Sequence, residues 1–312
     1  MNPVKKPKLA MILVEVWSMT DPRDLRKIVR YAVEAEEAGF DAVMIGEHVL
    51  MGANSCYLGP PSNPRDWLKA GNQVPDFPHP SGLPLIAAIA AATSRIRLIA
   101  AAVISPLRHP LVLAKEFATI DLLSEGRLVV VPTVSWQEEE YAALGVPFHK
   151  RGAILDEQLE IWKRLWTEGS PLSHAGAHFQ FSNTYLYPEP YRAGGIPLWT
   201  GGRALGAPMR RRLARYSKGL FLLKPPSPEE LKELAQELAA NNRSLDEIEL
   251  AAVLGAPFKS TTDRLDLGRV TDSYAELRDR GFSTFAIKPS QFIDDGAQLK
   301  KFAREAVQRL TA

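Results

Sequence analysis

The stretch Glu34 to His48, EAEEAGFDAVMIGEH, reads as the tail of a helix, a glycine stop, a buried strand, and an acid beside a histidine. Gly39 suits a helix C-terminus because glycine takes left-handed backbone without a Cβ penalty, and Phe40 then leads into the apolar run Ala42 to Ile45. Far along the chain, Gly281-Phe282 again follows a helical pattern and precedes an apolar run, Thr284 to Ile287. The same helix–glycine–strand corner thus occurs near both ends.

Working outward, further short apolar runs stand at Leu9 to Val16, Ile96 to Ile104, Leu128 to Val134, Ile196 to Thr200, Leu220 to Leu223 and Ile248 to Leu254. Continuous apolar runs are what parallel strands covered on both faces require. Helical patterns lie between them. Asp21-Pro22 opens one, Pro110 to about Ser124 forms another, Arg151 to Trp166 a third, Pro208 begins a basic one, and Ser227-Pro228-Glu229-Glu230 is a capping box. About eight strands alternating with helices predict a (β/α)8 TIM barrel, an α/β fold in one domain over residues 1–312, with insertions at about 49–83 and 167–195. An open doubly wound sheet is the runner-up, but the chain lacks its GxGxxG signal.

A net charge of +2 on balanced Lys/Arg and Asp/Glu gives no electrostatic case for nucleic acid or an anionic membrane, and the KKPK start reads as a loose tail. The lone Cys56 excludes an intrachain disulfide and suits a reducing compartment. No run of about 18 apolar residues exists and the first residues do not read as a signal peptide, so a soluble cytoplasmic protein is expected.

In a barrel, chemistry belongs to the carboxyl ends of the strands. That selects Glu15, Glu47, His48, Ser105, Thr133, Ser135, Gly201, Gly202, Arg203 and Lys288. His48 titrates near neutrality and suits general acid–base work, with Glu47 or a backbone carbonyl fixing its tautomer; a histidine that only closes a strand end is the other reading. Gly201-Gly202-Arg203, between a strand and a helix, suits either a phosphate cradle or a tight turn. His174 and His178 flank Ala-Gly-Ala in a loop, and without HExxH or a cysteine cluster no metal site is expected. The Arg210 to Arg212 run reads as a solvated helix face, and Trp162 and Trp166 as helix packing. Tyr57, Trp67 and Phe77 in the long connection suggest a partly hydrophobic small-molecule substrate.

Three segments together resemble the luciferase-like monooxygenase superfamily of flavin- or F420-dependent oxidoreductases: GFDAVMIGEHVL, ATSRIRLIAAAVISPLRHPLVLAKEFATIDLLSEGRLVV and WQEEEYAALGVPFHKRGAILDEQLEIWKRLWT. YPEPYRAGGIPLWTGG and ARYSKGLFL extend the resemblance, which spans roughly residues 9 to 223. It implies that His48, with Glu47, stands by the cofactor ring as the catalytic group. It further implies that Ala101-Ala102 forms a non-prolyl cis peptide under the ring, and that Gly201, Gly202 and Arg203 hold the cofactor phosphate.

The chain departs from the family at the fourth strand, where relatives carry GVGxGW and this sequence has Val131, Pro132, Thr133, Val134, Ser135 and Trp136. The hydroxyls of Thr133 and Ser135 are expected to replace glycine backbone contacts to the cofactor. Glu47-His48 resembles the FMN monooxygenase branch, which uses a separate flavin reductase, whereas FPHPSGLPLIAAIAAATSRIRL and the length resemble the F420 branch. The expected enzyme uses F420, or else FMN, to reduce or oxygenate its substrate, and forms a homodimer. A non-catalytic flavin-binding relative is the alternative of a different class.

Overall fold

The structure, a computed structural model, describes residues 6–66 and 71–311. In chain order its regular elements are β1 (Lys8–Ile12), α1 (Leu25–Ala38), β2 (Ala42–Ile45), α2 (Gly82–Ala92), β3 (Arg97–Ile104), α3 (Pro110–Leu123), β4 (Leu128–Thr133), α4 (Glu138–Ala143) and α5 (Arg151–Thr167). There follow β5 (Leu172–Ala175), β6 (Gln180–Thr184), β7 (Trp199–Gly202), α6 (Ala207–Tyr216), β8 (Gly219–Leu222), α7 (Pro228–Ala239), β9 (Glu249–Val253), α8 (Thr271–Asp279), β10 (Thr284–Ile287) and α9 (Leu299–Leu310).

Eight strands form one parallel sheet in the order β4-β3-β2-β1-β10-β9-β8-β7. Its two ends meet where the Val130 amide donates to the Pro197 carbonyl at 3.0 Å beside a parallel bridge from Val130 to Leu198. The sheet is a nearly closed barrel, as the alternation of runs predicts. Strand side chains alternate between two dry layers. Ala10, Met44, Ile99, Val129, Val131 and Phe221 fill the barrel; Leu9, Met11, Val43, Leu98, Val130 and Phe285 face the helices.

The repeated corner has one cause at both sites. Gly39 and Gly281 sit at φ +98° and +89°, and the amides of Phe40 and Phe282 each donate back to a carbonyl of the last helical turn, Ala35 and Leu277, at 3.0 Å. Each phenylalanine is then buried at the foot of its strand.

Several sequence boundaries shift. β1 stops at Ile12 because the chain turns at Glu15, whose φ is +56°. Asp24 caps α1 by accepting from Lys27 N, while Asp21 is held by Arg23 in the preceding turn. Lys8 of the KKPK start opens β1, and Lys5 lies outside the described residues, as does Trp67. Gly201 and Gly202 are not a turn after the strand but the last residues of β7 itself. His174 lies on β5, where its imidazole Nε2 meets Glu157 Oε1 at 3.0 Å, so it is strand-bound rather than in a loop. The antiparallel β5–β6 hairpin is the excursion expected between 167 and 195. Among the described residues, no helix is long and apolar enough to cross a membrane.

Candidate active site

β2 delivers Gly46, Glu47 and His48 to the carboxyl end of the barrel. A Cβ on Gly46 would stand 2.7 Å from the Ala101 carbonyl oxygen, so only glycine lets this turn approach β3 so closely. The Ala101–Ala102 peptide is cis, as the resemblance implies. Pairing with β4 runs from Ala101–Val131 to Val103–Pro132, so Ala102 is skipped and the two small residues form a local bulge at the barrel mouth.

Glu47 does not face His48. Its carboxylate takes both terminal nitrogens of Arg108, at 2.6 and 3.0 Å, and the amide of Ile104 at 3.2 Å. These bonds fasten the turn after β2 to the end of β3. The group that meets His48 is Glu140 of α4, fully buried, with Oε2 3.3 Å from His48 Nδ1. Glu140 also accepts the amides of Val49, at 2.6 Å, and Leu50, at 3.4 Å. A carboxylate acceptor leaves the proton on Nδ1, and Nε2 then carries the lone pair.

Glu140 was not legible because the Glu138–Glu140 run resembles the usual acidic first turn of a helix. His79, also missed, lies in a proline-rich connection without periodicity. Its ring stands edge-on to His48 with centroids 5.1 Å apart. A chain of rings runs Trp17, Phe77, His79, His48, Trp136, Tyr57 at centroid separations of 6.4, 5.0, 5.1, 5.9 and 5.9 Å. Phe77 and Tyr57, flagged from sequence, therefore belong to one aromatic wall.

At the end of β4 the altered run keeps a glycine-like backbone. Ser135 sits at φ +55°, and its amide reaches the Thr133 hydroxyl at 3.5 Å. The Thr133 hydroxyl is thus engaged locally, and Tyr141 OH bonds the Val134 carbonyl. Gly201 and Gly202 end β7, Arg203 follows exposed to solvent, and Gly206 begins α6 without a side-chain cap. Because β7 closes on β4, the ends of β2, β3, β4 and β7 form one arc holding His48, Ala101, Ala102, Thr133, Ser135 and Gly201 to Arg203. Next to this arc, since β1 pairs with β2, the ends of β1 and β10 hold Glu15 against the fully buried Lys288 at 3.1 Å. Ser105 is buried, its hydroxyl 3.3 Å from the Val103 carbonyl, in the turn after β3.

The model of the luciferase-like monooxygenase family matches residues 9–266. The chain belongs to that family. Its members are flavin- or F420-dependent oxidoreductases. An uncharacterised protein of Mycobacterium tuberculosis is 38% identical over 117 residues, which is 37% of this chain and only 40% of that relative's length. The F420-dependent glucose-6-phosphate dehydrogenase of Nakamurella multipartita is 26% identical over 284 residues, covering 88% of this chain and 74% of that one. The crystal structure of monooxygenase RslO1 from Streptomyces bottropensis superposes with a TM-score of 0.73 at 18% identity, over 98% of this chain and 100% of that one, a likeness of fold.

The arc suits a flat ring with a phosphate tail. It offers a floor of two alanines, a glycine-ended strand, and an arginine beside an uncapped helix N-terminus.

Proposed function

We propose that this chain is an F420-dependent oxidoreductase acting on a small, partly hydrophobic organic molecule. One juxtaposition carries the reading: the small-residue floor Ala101–Ala102 lies against the turn that presents a histidine whose tautomer is fixed by a buried carboxylate. The match over most of the chain to a relative named as F420-dependent supports the choice of cofactor. Ala101 and Ala102 would carry the ring, Thr133 and Ser135 its flank, and Gly201, Gly202 and Arg203 the phosphate. When bound, F420 supplies a two-electron hydride donor or acceptor.

The protein's part is the proton. His48 Nε2 accepts it from a substrate hydroxyl, or returns it to a carbonyl, while Glu140 stabilises the imidazolium. Glu47 is a positioning residue, holding the turn that presents His48. The aromatic wall excludes water and packs the apolar part of the substrate.

Reduced FMN from a separate reductase is the second reading, favoured by the Glu47-His48 pair. Fluorescence titration with F420 and FMN, each oxidised and reduced, separates the two. Micromolar binding of F420 with weaker FMN is expected; the reverse order selects FMN, and binding of neither defeats both. A homodimer is proposed as well, because α2 is apolar around its circumference and Val112 and Leu123 of α3 are half exposed; light scattering checks it.

A further inference from the structure

The ends of β1 and β10 carry a cluster that this chemistry leaves unused. Glu15 accepts from Lys288 Nζ at 3.1 Å and from Gln73 Nε2 at 3.3 Å. Beside them, the His79 side chain is only 5% exposed, and its Nε2 lies 3.8 Å from Glu15 Oε1, too far for a hydrogen bond. Both His79 ring nitrogens are buried without a hydrogen-bond partner among the described residues, as are Trp17 Nε1 and Ser290 Oγ. Burial, and then the charges of His48 and Lys288, hold the imidazole down to about 3, so it is neutral with one donor and one acceptor nitrogen. Leaving buried polar groups unbonded costs about 1–3 kcal/mol each, and native proteins rarely do so; such groups await a partner.

The position of His79 specifies that partner. Its ring stands between Phe77 and His48, so a group bonded to it is flanked by an apolar ring on one side and the proton-transfer histidine on the other. Lys288, whose charge acts on it, is already committed to Glu15.

We infer that His79 is the substrate anchor: its imidazole hydrogen-bonds the carbonyl or hydroxyl oxygen of an uncharged substrate whose apolar body packs along Trp17, Phe77 and Trp136. This rests on the oxidoreductase reading and narrows it. The sugar phosphate in the name of the Nakamurella relative is not carried over to this site.

The test uses the full chain without added cofactor, titrated with acetophenone, 1-phenylethanol and, as a charged control, glucose 6-phosphate. Tryptophan fluorescence gives affinity and histidine ring NMR reports the site. The two aromatic probes are expected to bind and to shift one buried histidine resonance that is missing in His79→Phe. In that variant probe affinity falls at least tenfold, and His79→Gln, which restores a donor, recovers part of it. Probe affinity within twofold of wild type in both folded variants overturns the inference and leaves His79 bonded to water alone. So does failure of both aromatic probes to bind, or glucose 6-phosphate binding as tightly as they do. Failure of F420 to bind the unsubstituted chain defeats the cofactor reading separately, since these titrations contain none.

Discussion

Each mouth of the barrel holds a carboxylate bonded to a lysine, and the two are finished differently. At the amino mouth, Glu249 accepts two bonds from Arg97, at 3.0 and 2.6 Å, one from Lys8 at 3.1 Å, and one from the Thr284 hydroxyl. Every lobe of that carboxylate is used. At the carboxyl mouth, Glu15 takes Lys288 and Gln73, but the neighbouring His79 nitrogens go without a partner among the described residues and His48 keeps one nitrogen clear of Glu140. A saturated network serves stability, while an unsaturated one can gain a bond only from something that arrives. This matches the division of labour expected between the two faces of such barrels.

Four substitutions or conditions would break or sharpen that contrast. The largest effect is expected at the carboxyl mouth: His48→Ala loses about 10²–10⁴-fold in turnover with cofactor affinity unchanged, read by steady-state kinetics beside a fluorescence titration. If turnover survives, His48 only closes a strand.

At the amino mouth, Glu249→Ala should cost about 3 kcal/mol in chemical unfolding, because it strands Arg97. Cofactor affinity should stay the same. A loss of F420 binding larger than the loss of stability would erase the distinction between the mouths.

Acid should reach the same residue. Burial alone would raise the Glu249 carboxyl, but the bonds and charge of Arg97, with Thr284 and Lys8, win and lower it from 4.5 to about 2. A depressed value stabilises the fold above the ordinary carboxylate range, and the stabilisation is lost as pH falls from about 4.5 through about 2. Unfolding midpoints of the wild type should therefore fall over that window, and those of Glu249→Gln should fall less.

The smallest effect belongs to Ser135→Gly. It relieves a left-handed serine, so stability should change by no more than about 1 kcal/mol. A tenfold gain in F420 affinity would mean that the serine side chain, and not the backbone, limits cofactor binding.

Much of the fold was legible because glycine stops and apolar runs are local signals. Gly39-Phe40 and Gly281-Phe282 announce the same corner from a few residues each. Boundaries slipped where tertiary packing decided them: Glu15 turns out of a run that looks like strand, and Gly201-Gly202 looks like a turn but pairs with Phe221 and Leu222. His48 was legible from its place after a strand and from the resemblance. Glu140 and His79 were not, because their significance lies in contacts 92 residues apart in sequence for Glu140 and in the absence of period for His79. Glu47 was one of two groups the sequence offered to fix the His48 tautomer, and its actual partner Arg108 was hidden for the same reason, 61 residues away.

Glu140 has a further consequence. One carboxylate grips both the His48 ring and the amides of Val49 and Leu50, and its helical neighbours Gln137 and Glu139 hold Gly52 and Asn54. In the proposed reaction, any displacement of the segment 49–54 therefore unseats the base in the same stroke. Amide exchange in that segment and reorientation of the His48 ring should keep a single clock.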